Sequence, residues 1–239
     1  MLLRRVTEHV KQQNWFAVTI DFFIVVLGVF IGLQVANWNA ARDARTDEQA
    51  LILRLEADFE VITSIFDDTL EVLPTYLDAT RNLVAVARGE IELPEYQLKS
   101  SAYWSQSLGR PPLRSTTYDQ LVSSGDFSLI RDATLRDALV RYHQSVDRQS
   151  FLYTQTLSHL VSMADYMDIP IQLLDTDTEI SFPLPKEVLD EISVDHEALK
   201  ASEGAFEILL TLQFNLHRAS IEQNALAGNV KAALERILE

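Results

Sequence analysis

The hydrophobic pattern of the chain changes character twice. Over residues 15–38 apolar side chains run almost unbroken, and 22–33 holds no polar side chain. From Leu51 they recur at steps of four and three, through Leu55, Phe59, Ile62, Phe66, Leu70 and Leu73 to Leu77. From Leu139 they fall every seventh position, at Val146, Tyr153, Leu160 and Met167, flanked by Leu135, Tyr142 and Met163. The unbroken run predicts a membrane-spanning helix. The two periodic runs predict helices with one buried face.

Residues 15–38, as a helix, reach roughly 35 Å, enough for a hydrocarbon core of about 30 Å. Trp15 and Trp38 mark its ends, each preceded by an Asn, and indoles suit the headgroup level. A buried soluble helix is a weaker alternative, because such long apolar runs are uncommon there. A cleaved signal peptide is weaker too. Its apolar region is shorter, and Gln34/Ala36 or Trp38/Ala40 make poor cleavage positions. The expected order is a short cytoplasmic tail (1–14), a transmembrane helix (15–38) and a helical domain (39–239).

No Pro or Gly follows the span until Pro74, so the helix is expected to continue into the next run. That run repeats every eleven residues, 3.67 per turn, which predicts a nearly straight bundle helix. Pro74 is expected to kink or break it, leaving a second piece at 75–88 capped by Gly89. Residues 90–114 read as a connection, opened by Pro94 and broken by Gly109 and Pro111-Pro112. Tyr103 and Trp104 are its expected plug onto the bundle. Thr116 or Thr117 is expected to cap a short helix that stops at Gly125, with Leu129 and Ile130 buried and Asp132 capping the long heptad helix of about 35 residues. A helix over 187–201 and a last one over about 205–238 complete the prediction.

Charge adds a constraint. The chain carries −15 overall. Residues 1–39 hold three Lys/Arg against two Asp/Glu, so the excess acid lies beyond them. Such a domain repels nucleic acid, which is bound by neutralising phosphates, and it repels anionic headgroups. Arg4, Arg5 and Lys11 before the span outnumber Arg42 and Arg45 after it. That slight excess puts the N-terminus in the cytoplasm and the acidic domain in a periplasm. The absence of cysteine excludes disulfides, thiolate zinc sites and cysteine nucleophiles.

The span holds two features that anchoring does not require. Asp21 lies about 9 Å inside Trp15, where a carboxylate costs up to about 2.5–3.5 kcal/mol if it reaches the bilayer centre. It either snorkels to the near headgroups or meets a donor on a partner helix. Gly28, Gly32 and Ala36 stand at four-residue spacing on roughly the same face, and small residues let two helix backbones approach. Asp21, Gly28, Gly32 and Ala36 are therefore the candidate helix-packing residues, and Trp15 and Trp38 the candidate interface residues.

Candidate chemistry is sparse. His9, His143, His159, His196 and His217 fall in neither HExxH nor ExxH. No phosphate-binding glycine loop, dinucleotide fingerprint or GxSxG occurs. His143 and Asp147 form an i,i+4 pair, expected to be a local hydrogen bond. Residues 175–179, DTDTE, look like the start of a calcium loop, but Ile180 and Lys186 stand where the glycine and glutamate belong. No catalytic, cofactor or metal residue is assigned, and the expectation is a protein that is not an enzyme.

Two segments, NWFAVTIDFFIVVLGVFIGLQVANWN (14–39) and TYDQLVSSGDFSLIRDATLRDALVRYH (117–143), resemble a family of uncharacterised bacterial single-span membrane proteins. The first matches through Asn14-Trp15, Asp21, the GVFIG core and residues 36–39. The second matches through Tyr118, Leu121, the Ser123-Ser124-Gly125 turn, Leu129-Ile130 and Leu135-Arg136. The resemblance covers under a quarter of the chain and implies a Gram-negative inner membrane, but no activity. The sequence thus predicts an all-α protein: an N-terminal transmembrane helix continuing into a bundle of about four main helices. Its expected partners are the lipid bilayer and either further copies, as a homo-oligomer, or a larger membrane complex in which it is an accessory subunit, with no nucleic acid. The alternative is a sensor-like bundle that binds a small ligand and signals through a partner.

Overall fold

The computed structural model describes residues 15–164 and 184–239. Those residues form an all-α structure with no strand among them. The helices are α1 (Trp15–Ala87), α2 (Glu95–Ser105), α3 (Thr116–Ser124), α4 (Ala133–Ala164), α5 (Lys186–Asp190), α6 (His196–Ala201) and α7 (Glu203–Leu238), with a 3-10 turn at Asp126–Leu129. Four of them, α1, α2, α4 and α7, are eleven residues or longer. The chain divides into two units, Met1–Leu51 and Ile52–Glu239.

In the first unit the described residues belong to the N-terminal part of α1. Its apolar window has a mean hydropathy of 2.2 and is 0 % buried, which suits a membrane span by length and composition.

In the second unit, the eleven-residue stripe of α1 is buried as its period predicts. Leu55, Phe59, Ile62, Phe66, Leu73 and Leu77 are all under 9 % exposed, with Leu70 half-buried. Of the kink or break expected at Pro74, the break does not occur: α1 runs through it to Ala87. Pro74 stands on the exposed side of α1, so water can reach the carbonyl that its missing N–H leaves unbonded. The helix ends where Gly89 allows: its N–H and that of Glu90 bond the Val86 and Ala85 carbonyls.

α4 and α7 pair antiparallel. Arg236 meets Asp132 at one end and His159 meets the Ala205 carbonyl at the other, with Gln149 and Ala219 between. α7 also runs antiparallel to α1: Arg88 bonds Glu203 and Glu207, Thr80 bonds Gln213, and Asn224 bonds Asp67. Leu135, Leu139, Tyr142 and Val146 of α4 and Phe206, Leu209, Val230 and Leu234 of α7 are fully buried. Truncating one of these large side chains to Ala costs about 2–5 kcal/mol in such cores.

The shorter elements refine the prediction. Trp104 on α2 stacks on Tyr76 of α1 at 5.6 Å, the plug expected of it. Residues 187–201 are two short helices rather than one. Asp195 interrupts them by accepting the N–H groups of Glu197 and Ala198, and so restarts the helix. Asp132 caps α4 through the Leu135 N–H at 2.7 Å, as expected. The DTDTE segment and Met167 lie outside the described residues.

Candidate functional site

The candidate packing residues of the span share one face of α1. At about 100° per residue, Asp21, Gly28, Gly32 and Ala36 fall within roughly 80° of arc. All four are exposed, and a Cβ added at Gly28 or Gly32 would meet nothing within 4 Å. Trp38 is exposed as well. Trp15 is the first helical residue described, and its side chain lies outside the described set. This face carries a single carboxylate and the exposed Val25 within its arc, with the exposed Ile24 and Val29 to either side.

A second concentration of polar groups lies in the Ile52–Glu239 unit, at the start of α3. The connection 107–115 has no regular structure of its own, so its backbone groups need side-chain partners. Two helices, α4 and α7, supply them. Gln213 of α7 donates to the Ser105 and Ser107 carbonyls at 2.9 and 3.1 Å, and Tyr142 of α4 donates to the Leu113 carbonyl at 2.8 Å. Tyr153 reaches the Gly109 carbonyl at 3.4 Å. Burial pushes the Tyr142 hydroxyl far above the ordinary tyrosine range.

Asp58 of α1 fastens the end of this connection. Its Oδ2 accepts the Ser115 hydroxyl at 2.7 Å and the Thr117 N–H at 3.0 Å. The Ser115 Oγ in turn accepts the Tyr118 N–H at 3.1 Å, so Ser115 is the N-cap of α3, rather than Thr116 or Thr117. The Ser115 N–H donates to Nε2 of His143 at 3.3 Å. Because Nε2 accepts, the ring proton sits on Nδ1 and donates to the Leu139 carbonyl at 2.8 Å. The imidazole stacks on Tyr118, with centroids 3.5 Å apart, and is 3 % exposed. Burial pulls its pKa below the ordinary histidine value.

The expected His143–Asp147 hydrogen bond is replaced by other partners. Asp147 binds Arg114 at 2.6 Å, and Arg114 also makes a two-pronged pair with Asp119 at 2.9 and 3.0 Å. The Arg114 guanidinium holds the Asp119 carboxyl below the usual carboxylate range. These pairs are half-exposed, so each contributes at most about 1 kcal/mol.

Ser115, His143 and Asp58 are the residue types of a hydrolytic triad, but they are wired differently. A triad needs the serine hydroxyl to donate to the imidazole and the imidazole to donate to the carboxylate. Here the hydroxyl donates to the carboxylate, while the imidazole binds two backbone groups. Ser115 is also 0 % exposed, which denies it a substrate. The cluster is a structural joint between α1, α3 and α4. Sequence reasoning missed Asp58 and Ser115 because 57 residues separate them. No local period links a half-buried acid on one helix to a cap on another. Among the described residues no group of three or more His, Asp or Glu is placed to hold a metal ion.

Compared with protein-family models, curated proteins and solved structures, the chain matches none.

Proposed function

We propose that the protein is a single-span membrane subunit whose α1 both anchors and assembles. The observation that supports this most is the coincidence on one exposed face of Asp21, Gly28, Gly32 and Ala36, within an apolar window that is 0 % buried. An apolar surface of that length is covered by lipid or by another helix. Small residues at four-residue spacing favour close helix contact, and a carboxylate among acyl chains is stabilised by a donor on a facing helix. On this reading the chain sits in a bacterial inner membrane, N-terminus inside, with its acidic bundle in the periplasm. It serves as an accessory or self-assembling component and not as an enzyme. The resemblance of 14–39 and 117–143 to bacterial single-span proteins agrees with that placement.

The ligand-sensing alternative draws less support. The crevice between α1, α4, α7 and residues 108–113 has a volume of about 10 Å³. Small-molecule sites occupy about 300–1,000 Å³.

Purification of the full chain in a mild detergent, without crosslinking, tests the proposal. A homo-oligomer, or a fixed set of co-purifying membrane proteins, is expected. A monomer carrying a small molecule would overturn it.

A further inference from the structure

Residues 108–113 cover a crevice whose floor is built by all three long helices: Ile65, Phe66 and Thr69 of α1, Gln149 and Tyr153 of α4, and Ser220 and Gln223 of α7. Gln223 is 0 % exposed, yet its amide makes no well-aligned hydrogen bond within the protein. The Tyr142 hydroxyl is set against it, but gives its proton to the Leu113 carbonyl, so it can only accept from Nε2 and leaves Oε1 without a donor. A buried amide oxygen with no donor is strongly unfavourable, and native proteins resolve such cases with a further partner.

We propose that the crevice is a hydration site, in which one water molecule bonded to the Gln223 amide is a constituent of the bundle. The crevice admits only a small occupant: about 10 Å³ is open to the centre of a water-sized sphere, enough for water and too little for an organic ligand. The lining decides its chemistry. Gln223, Gln149, Ser220, Thr69 and Tyr153 are neutral donors and acceptors, and no carboxylate lies among the lining residues to bind a cation. Arg110, the single charge there, is exposed at the rim. Water both donates and accepts, so one molecule can serve either end of the amide and pass a second bond to a hydroxyl or carbonyl on another element. The site thus ties α7 to the irregular connection at a place where protein groups alone leave the amide oxygen without a donor.

A crystal structure of the full chain in detergent, at a resolution that shows ordered water, tests this. The expected result is a water peak within hydrogen-bond distance of the Gln223 amide and of at least one further lining group. In Gln223→Leu the peak should vanish. A wild-type map without the peak, with the Gln223 amide turned to bond protein groups directly, would overturn the proposal. So would a larger organic density, or a peak that persists unchanged in Gln223→Leu. If the variant does not fold, the wild-type map decides alone.

Discussion

Asp58 and Ser115 form one hydrogen bond, 2.7 Å long, across 57 residues of sequence, and that bond fixes where α3 begins. The same carboxylate oxygen also takes the Thr117 N–H. Without Asp58 the Thr117 N–H and the Ser115 hydroxyl lose their acceptor in a part-buried setting. Asp58→Ala is expected to destabilise the folded chain by about 1–3 kcal/mol. Ser115→Ala is expected to cost about 1 kcal/mol through the lost cap. The pair should be less than additive, because each removes the same bond. Chemical denaturation of the two single variants and the double variant measures the coupling. Full additivity would show that the bond contributes nothing.

His143 makes the same joint sensitive to acid. Its folded pKa lies below the ordinary value of 6.5, chiefly because burial disfavours the charged ring. The unfolded chain therefore binds the proton first as pH falls. The stabilising contribution is whole above about pH 6.5, and it is lost as pH drops from there through the folded value. Protonation also places a second N–H on Nε2, opposing the Ser115 N–H. The charged groups around the ring, Asp119, Asp147 and Arg114, partly offset one another. Thermal midpoints measured from about pH 7.5 to 5 should fall across that window. In His143→Gln the midpoint should start lower and fall less. Parallel curves for the two proteins would remove His143 from the account.

Gly109 carries a φ of +75°, and a Cβ there would lie 2.9 Å from Cδ2 of Leu73. Gly125, at +79°, faces open space. Both disfavour Ala by about 1–2 kcal/mol through backbone conformation. Only Gly109→Ala adds a collision with a buried leucine. Urea melts should therefore rank Gly109→Ala clearly below Gly125→Ala. Equal losses would mean that the connection over α1 shifts freely to make room.

The span is tested by bulk. Gly28→Leu and Gly32→Leu fill the exposed small-residue face without reducing hydropathy, so insertion should be unchanged while association weakens. Sedimentation or native gels of the purified variants should show smaller assemblies than wild type. Migration and co-purification identical to wild type would remove that face from assembly.

The long elements were legible because their burial repeats at a fixed period. The α1 stripe and the heptads of α4 follow from the spacing of apolar positions, and the stop at Gly89 from a glycine at the end of that spacing. Pro74 reads by residue type as a kink or a stop; that the helix runs past it depends on the residue's outward direction, which packing sets. The split at Asp195 was hidden because apolar positions on both sides mimic one amphipathic helix. The joint of Asp58, Ser115 and His143 was out of reach. His143 pairs with Asp147 by spacing but with Ser115 by topology, and residues 107–115 carry no period that would reveal their fastenings. Gln223 likewise reads as an ordinary polar helix residue until α7 is set against α1 and α4.

The position of α7 has a consequence for how the chain is made. Residues 203–238 supply Phe206, Leu209, Val230 and Leu234 to the core, together with Gln213, which holds α1 and the irregular connection. Synthesis proceeds from the N-terminus at about 5–20 residues per second. The apolar stripes of α1 and α4 are therefore complete for roughly several seconds to half a minute before the helix that covers them emerges. During that interval α1 and α4 can meet each other, as Phe59 and Tyr142 do, but the faces that α7 covers stay open, so closure of the core waits for the last helix.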